Sequence, residues 1–337
     1  MKRYLLPVFL LLVAMASAQE EQQPVRIAEI GFYGAGGVDL EKLRAALPFH
    51  EGEMFSKETE AQKLEKAKQV IKQLTGRAPT EIAPSCCDAR GGLTIFIGLS
   101  GQAIRYLPAP KGEARFPASV SKLFDEWSNA LSEGERRGAN SEDWSQGYAL
   151  SKDYPPLRAI QLRMREYALA DEALIRRVLE TSADGNQRAM AAELMGYARQ
   201  SDAQLSALVR ACRDSDDSVR NNASRALIVL VGSKPGLARR IEPAVFIEML
   251  MSGTWSDVNK SSYLLDGLTR SRDPQLLARL RRPAVIGRLI EVARWRSHAE
   301  AARTVLGRVA GIDETRLAQL VAAGQVDQII NALHLTR

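Results

Sequence analysis

Residues 205–232 constrain the fold of this chain more than any other stretch. Apolar residues recur there at helical spacing in two runs, namely Leu205, Leu208 and Cys212, and then Val219, Ala223, Leu227 and Leu230. The polar residues 213–218 lie between the runs and offer Asp and Ser side chains that can cap the second helix. Because one hairpin cannot bury both apolar stripes, the stretch needs similar hairpins stacked on each side of it.

The same stretch resembles a HEAT repeat. The resemblance rests on the leucine-spaced first helix, on Asp214, on the Asp-Ser-Val-Arg string at 217–220 and on the small Ala223 facing Leu227. In that family an acid and a base near the turn form a ladder between adjacent repeats. The ladder residues that the resemblance implies are Asp214, Asp217, Val219 and Arg220.

The hairpin pattern recurs through residues 155–337. Trp255, Leu265 and Gly267 match Trp295, Val305 and Gly307 at a spacing of 40, and Arg188 and Ala191 match Arg220 and Ala223 at a spacing of 32. We therefore predict an all-α, HEAT-like solenoid of four to five hairpins over 155–337, with a compact helical bundle as the alternative. Pro283 is expected to break or kink one helix, and Asp313 to cap the last segment.

A different pattern occupies residues 25–100. A strand is predicted over 25–32, a helix from Leu40 capped by Asp39, a second helix after Ser56, and strands over 80–87 and 93–99. This β-α-α-β-β order makes a small α+β domain. The fold class is thus multi-domain, with the α+β domain followed by the solenoid.

The α+β stretch resembles a POTRA domain. The resemblance rests on Ile27, Ile30, Phe32 and Gly34 leading into Leu40 and Leu43, and then on Gly52, Phe55 and Ser56. POTRA domains occur in periplasmic parts of envelope proteins and bind other polypeptides, often by adding a strand to a sheet edge. An unrelated small α+β domain is the alternative.

Residues 101–154 are predicted to form a connector with one helix over 118–131. Prolines keep its first part extended. Trp144 and Tyr148 lie in its polar second part, which either packs on the solenoid or is functional.

Residues 1–18 have the charged start, apolar centre and small-residue end of a secretory signal peptide, with cleavage expected before Gln19. The mature chain is predicted to be periplasmic or secreted, without a transmembrane span.

The three cysteines, Cys86, Cys87 and Cys212, are an odd number and do not indicate a disulfide framework.

One short motif suggests catalysis. Ser119 and Lys122 resemble the Ser-x-x-Lys motif of penicillin-binding proteins, in which the serine is the nucleophile. The other motifs of that family are missing, so we predict no enzyme and keep a serine hydrolase as an alternative. No histidine pair has metal-ligand spacing, and we predict neither a metal nor a cofactor.

The C-terminal part carries one concentration of charge. Ten arginines fall between residues 270 and 308, against three acids. Arginine binds anionic groups through paired N–H donors, so Arg281, Arg282 and Arg288, with Trp295, are candidate binding residues for a polyanion. A solvated helical face is the alternative.

The chain is only mildly basic, with a net charge of +6 and a pI near 9.3. Without a cluster of basic residues, such a charge does not predict nucleic-acid binding. We therefore predict an exported, non-enzymatic scaffold of the bacterial cell envelope that binds other proteins. The alternatives are the serine hydrolase and the polyanion-binding protein.

Overall fold

The computed structural model describes residues 24–85, 90–99 and 105–335. It confirms the predicted fold class, a small α+β unit followed by an all-α region. The predicted signal peptide, Cys86 and Cys87 lie outside the described residues.

The N-terminal unit combines a mixed sheet with two helices. Its elements are β1 Val25–Tyr33, α1 Leu40–Ala46, β2 Met54–Phe55, α2 Lys57–Thr75, β3 Glu81–Ser85 and β4 Leu93–Gly98. The strand order is β2-β1-β4-β3, with β1 parallel to β4 and the other two pairs antiparallel. Strand β2 has two residues, too few for an alternating pattern, and for that reason the sequence did not predict it. Asp39 caps α1 by accepting a 3.0 Å hydrogen bond from the Lys42 amide.

The connector crosses from the sheet to the first helices. It consists of an extended segment, residues 105–116, followed by α3 Ala118–Arg136, β5 Glu142–Asp143 and β6 Leu150–Ser151. Trp144 lies on Gly232, where an added Cβ would meet the indole at 3.0 Å. The Tyr148 ring lies 5.9 Å from the Tyr197 ring, so the second half of the connector packs on the helices.

From Pro155 the described chain is helical. The elements are α4 Pro155–Ala170, α5 Glu172–Thr181, α6 Gly185–Gly196, α7 Asp202–Ala211, α8 Asp217–Ser233, a 3-10 helix Pro235–Arg240, α9 Ala244–Leu250, α10 Trp255–Thr269, α11 Pro274–Leu280, α12 Pro283–Ala293, α13 Glu300–Val309, α14 Glu314–Ala322 and α15 Val326–Leu335. Within the described residues they form hairpins α5/α6, α7/α8, α9/α10, α12/α13 and α14/α15.

The helix that starts at Pro274 is broken before Pro283, as predicted: α11 ends at Leu280 and Pro283 begins α12. Proline fits that position because the amides of a first turn have no helical partner. One boundary differs from the prediction. The last segment divides at Gly324, which adopts a φ of 64° between α14 and α15. Asp313 caps α14, as predicted, by accepting a hydrogen bond from the Arg316 amide.

The hairpins stack into a two-layered, solenoid-like array. The second helices, α6, α8, α10 and α13, pack closely side by side, whereas the first helices of neighbouring hairpins touch at few points. Small residues let these helices lie close together. A Cβ added to Gly196 on α6 would come within 3.0 Å of Ala226 on α8. Closer spacing in one layer curves the array towards that layer, so we call the exposed side of the second helices the inner face.

The sheet is buried on both sides. Ile30, Ile95 and Ile97 point into a core with the sheet's own helices, whereas Tyr33 and Phe96 belong to the core of the helical region. All six residues of β4 are buried. The N-terminal unit is therefore docked on the helices through one face of its sheet.

Candidate functional site

The contact between the sheet and the helices, which we call the joint, is formed at the turns after α9 and α12. Glu29 on β1 is 6% exposed and accepts hydrogen bonds from the Arg296 amide at 2.6 Å, the Ser297 amide at 3.0 Å and the Ser297 hydroxyl at 3.0 Å. Glu291 on α12 accepts from the amides of Gly34 at 2.8 Å and Ala35 at 3.0 Å. The buried Glu29 and the half-buried Glu291 thus both have backbone donors that fix the sheet to the helices.

Aromatic packing fills the centre of the joint. The Phe96 ring lies between two indoles, 5.0 Å from Trp255 and 4.7 Å from Trp295. Trp295 is 3% exposed and donates from Nε1 to the Phe32 carbonyl at 3.0 Å. Tyr33 donates its hydroxyl to the Gly253 carbonyl at 3.0 Å.

Arg288 also has a structural role in the joint. It is 4% exposed, donates to the carbonyls of Leu250 at 3.0 Å and Ser252 at 2.9 Å, and pairs with Glu291 at 3.0 Å. These bonds satisfy carbonyls left free where α9 ends. Arg288 and Trp295 are therefore closed to an external ligand, which corrects the prediction that these two residues bind one.

The other arginines of the C-terminal part do not gather into a free patch. Arg281 and Arg282 are exposed, and Arg281 donates to the Val309 carbonyl at 2.8 Å. Most of the remainder are engaged by acids or carbonyls, as with Arg272 on Glu314 at 2.7 Å and Arg308 on Asp266 at 2.7 Å. This distribution does not favour the polyanion alternative.

The residues implied by the HEAT resemblance lie at the hairpin turns. Asp214 accepts two 2.8 Å hydrogen bonds from Arg188 of the preceding hairpin. Arg220 donates to Asp257 of the following hairpin at 2.9 and 3.1 Å. Each buried ion pair thus joins neighbouring hairpins.

The other two residues of that set have local roles. Val219 is fully buried, while Asp217 is exposed at the first turn of α8 and joins no ion pair of the described residues. The cap of α8 is Asp216, which accepts from the Ser218 and Val219 amides at 3.0 and 3.2 Å.

The extended segment 105–116, which we call the strap, runs along the same turns. The Leu107 amide donates to the Arg213 carbonyl at 2.7 Å, and the Gly112 amide donates to the Thr181 carbonyl at 2.8 Å. The Arg220 guanidinium lies 4.4 Å from the centre of the Tyr106 ring. Together, the strap and the joint cover the turn edge of the first four hairpins.

A charged cluster lies on the inner face. Three second helices each contribute one member, Glu193 on α6, Arg225 on α8 and Lys260 on α10, and the connector adds Glu142. Arg225 pairs with Glu142, and its Nη1 lies 3.7 Å from Glu193. Glu193 and Lys260 make no hydrogen bond with any described residue. We call these four residues the inner-face cluster.

Burial is unfavourable for two members of this cluster. It raises the pKa of Glu193, with Glu142 adding to the effect and Arg225 and Lys260 opposing it. Burial lowers the pKa of Lys260 to about 8. Charged groups kept where their charge is disfavoured are frequent at functional sites.

The inner-face cluster was not predicted, although the sequence contains one signal for it. Glu193 stands inside the apolar run 189–195, where a charge has no structural reason to be. Glu142 belongs to a polar loop, and only the folded chain brings it to Arg225.

The Ser-x-x-Lys pair has no catalytic surroundings. Ser119 and Lys122 are both exposed on the first turn of α3, and neither forms a hydrogen bond with a described residue. Cys212 is buried beside Ser224, 3.4 Å from its hydroxyl, and burial raises its pKa to about 12. Among the described residues, no group of three or more His, Cys, Asp or Glu side chains is arranged to hold a metal.

No protein-family model matches this chain, and no curated protein matches it. Of the helices in the described ranges, none combines the length and the apolar character needed to cross a bilayer.

Proposed function

We propose that this protein is a non-enzymatic scaffold that binds another polypeptide along the inner face of its helical region. The observation that carries the proposal is the inner-face cluster, with one charged residue on each of three successive second helices. The fold does not account for two of these charges, because Glu193 is buried, Lys260 is half-buried, and neither forms a hydrogen bond within the described chain.

The helical region is proposed to be a HEAT-like solenoid. Three second helices place an arginine four residues after the helix cap, at Arg188, Arg220 and Arg303, and each donates to carbonyls of the turn before it. Such a repeated device supports descent from one repeated unit, and solenoids present long inner surfaces to their partners.

The N-terminal unit is proposed to be POTRA-like, but its sheet edges do not favour strand addition. On β1, the Ile30 amide donates to Glu51 at 3.0 Å and the Ile30 carbonyl accepts from Arg44 at 3.0 Å. The other edge, β3, contains Pro84, which cannot donate a ladder hydrogen bond. We therefore assign binding to the inner face, with the docked sheet as a rigid support.

Export to the bacterial periplasm is part of the same proposal. It rests on the signal-peptide pattern at 1–18 and on the POTRA resemblance. Envelope proteins are the proposed partners.

Site-specific cross-linking in the full chain tests the proposal. A photo-reactive benzoylphenylalanine replaces Tyr263, one turn beyond Lys260 on α10, and as a control replaces Arg177, exposed on the outer helix α5. We expect a discrete cross-linked polypeptide from position 263, weakened by Lys260→Glu, and none from position 177. No adduct at 263, or the same adducts from both positions, would contradict the proposal.

A further inference from the structure

A cavity of about 290 Å³ lies at one end of the inner-face cluster. The connector closes one side of it with α3 and residues 139–142, and α6 and α8 close the other. The polar residues that line it include Trp127, Glu142, Glu193, Asn222 and Arg225.

Glu193 is the unusual member of this lining. It is 4% exposed and accepts no hydrogen bond from the described residues, although a buried carboxylate ordinarily accepts two or more. The Arg225 guanidinium is 3.7 Å away, beyond hydrogen-bond distance, because its Nη2 is drawn to Glu142. The lone pairs of Glu193 are therefore available to a group inside the cavity.

Trp127 also lines this cavity. Its Nε1 is buried and has no hydrogen-bond partner among the described residues. Trp255 Nε1 and Asn259 Oδ1 share that property but lie elsewhere, on α10. Two lining residues, Glu193 and Trp127, thus have polar atoms without a hydrogen bond to the described chain, which favours completion of the space by a ligand.

Charge decides which ligand fits. The lining contains three carboxylates, those of Glu135, Glu142 and Glu193, against the single guanidinium of Arg225. This excess of negative charge opposes an anion and favours a cation with N–H donors. The volume suits the end of one long side chain better than a larger ligand.

We infer that this cavity binds the ammonium or guanidinium group of a basic side chain carried by the partner polypeptide, an inference that rests on the proposed function. Glu193 accepts the N–H donors, and Trp127 marks the wall beside them. Binding strengthens as the pH rises and Glu193 gives up its proton, because the cation favours the charged carboxylate. The neighbouring charges that also act on Glu193 are Glu142, Arg225 and Lys260.

The test titrates the full chain with butylguanidinium, with butanol as the uncharged control. The chain contains four tryptophans, so ¹⁵N-tryptophan labelling gives four indole signals, and Trp127→Phe identifies one of them. We expect the Trp127 signal to shift in a saturable way with butylguanidinium, while the Trp255 signal stays constant. Glu193→Gln should weaken binding about tenfold or more, the loss of a charged hydrogen bond. Asp125→Asn, at an exposed position of α3, should not.

Several results would overturn the inference. They are no shift of the Trp127 signal, an equal shift with butanol, and undiminished binding in a Glu193→Gln chain whose remaining indole signals are unchanged. If the cation fails to bind while position 263 still cross-links, the cavity inference falls and the scaffold proposal stands. If the cation binds but no polypeptide cross-links, the scaffold proposal falls, and with it the assignment of the cation to a partner side chain.

Discussion

The joint and the inner-face cluster both contain buried carboxylates, but the two regions treat them differently. At the joint, Glu29 accepts three hydrogen bonds and Glu291 accepts two from backbone amides. On the inner face, Glu193 accepts none from the part of the chain that the structure describes, and its nearest charged partner, Arg225, is 3.7 Å away. Burial alone therefore does not tell whether a carboxylate is structural or functional. The hydrogen bonds that the carboxylate accepts do tell the two apart. Satisfied charges stabilise the fold, and unsatisfied ones are open to a partner.

The largest effect is expected at the centre of the joint. Trp295→Ala should lower the free energy of unfolding by about 3–5 kcal/mol, because it opens a cavity beside Phe96 and frees the Phe32 carbonyl. Urea unfolding followed by circular dichroism measures this loss. Trp144→Ala is the matched control, since that indole is 37% exposed and should cost far less. A loss no larger than that of Trp144→Ala would contradict a special role for Trp295 in the joint.

The next effect concerns the buried pair between hairpins. Asp257→Ala should cost about 3–5 kcal/mol, because Arg220 is left as an uncompensated buried charge. The double variant Arg220→Met, Asp257→Leu should recover most of that loss in the same unfolding experiment. A double variant as unstable as the single one would mean that the pair is needed for more than its charges.

At Lys260 we expect a substitution to increase stability, in contrast to the losses predicted above. Desolvation lowers the pKa of Lys260 to about 8 in the folded chain, against 10.5 for an ordinary lysine. The unfolded chain therefore binds more protons between these pH values, and stability should rise with pH across that range. Lys260→Met should raise the unfolding free energy at pH 7 by about 1–3 kcal/mol and remove that rise. Lys122→Met, at an exposed position, is the control and should change little. A destabilised Lys260→Met would place Lys260 with the satisfied charges of the joint.

The smallest effect is expected at Ser119. Ser119→Ala should change the unfolding free energy by less than about 0.5 kcal/mol, because the side chain is exposed and unbonded. A fluorescent β-lactam should label neither form of the protein. Labelling that disappears in the variant would restore the serine hydrolase alternative.

Much of the fold could be predicted because it depends on local pattern. Apolar spacing within 205–232 identified α7 and α8, and alternation over 93–99 identified β4. The apolar Phe96 on the otherwise polar side of that alternation was the one sign that β4 is buried on both faces.

The rest depends on contacts between distant residues. Arg288 reaches the Ser252 carbonyl across 36 positions of the chain, and Trp295 reaches Phe32 across 263. No local pattern distinguishes such an arginine from a solvated one, and for that reason the two residues were assigned to a binding face. The inner-face cluster depends in the same way on how the connector folds back onto α6 and α8.

One measurement tests the difference between the two regions most directly: the unfolding free energies of Glu29→Gln and Glu193→Gln at pH 7, each against the unchanged chain. Glu29→Gln should be destabilised by about 1.5–3 kcal/mol, because a side-chain amide cannot accept all three hydrogen bonds. Glu193→Gln should be more stable than the unchanged chain, because it removes a buried charge that has no hydrogen bond. Loss of stability in both variants would contradict the division between charged residues that stabilise the fold and charged residues that are available to bind a partner.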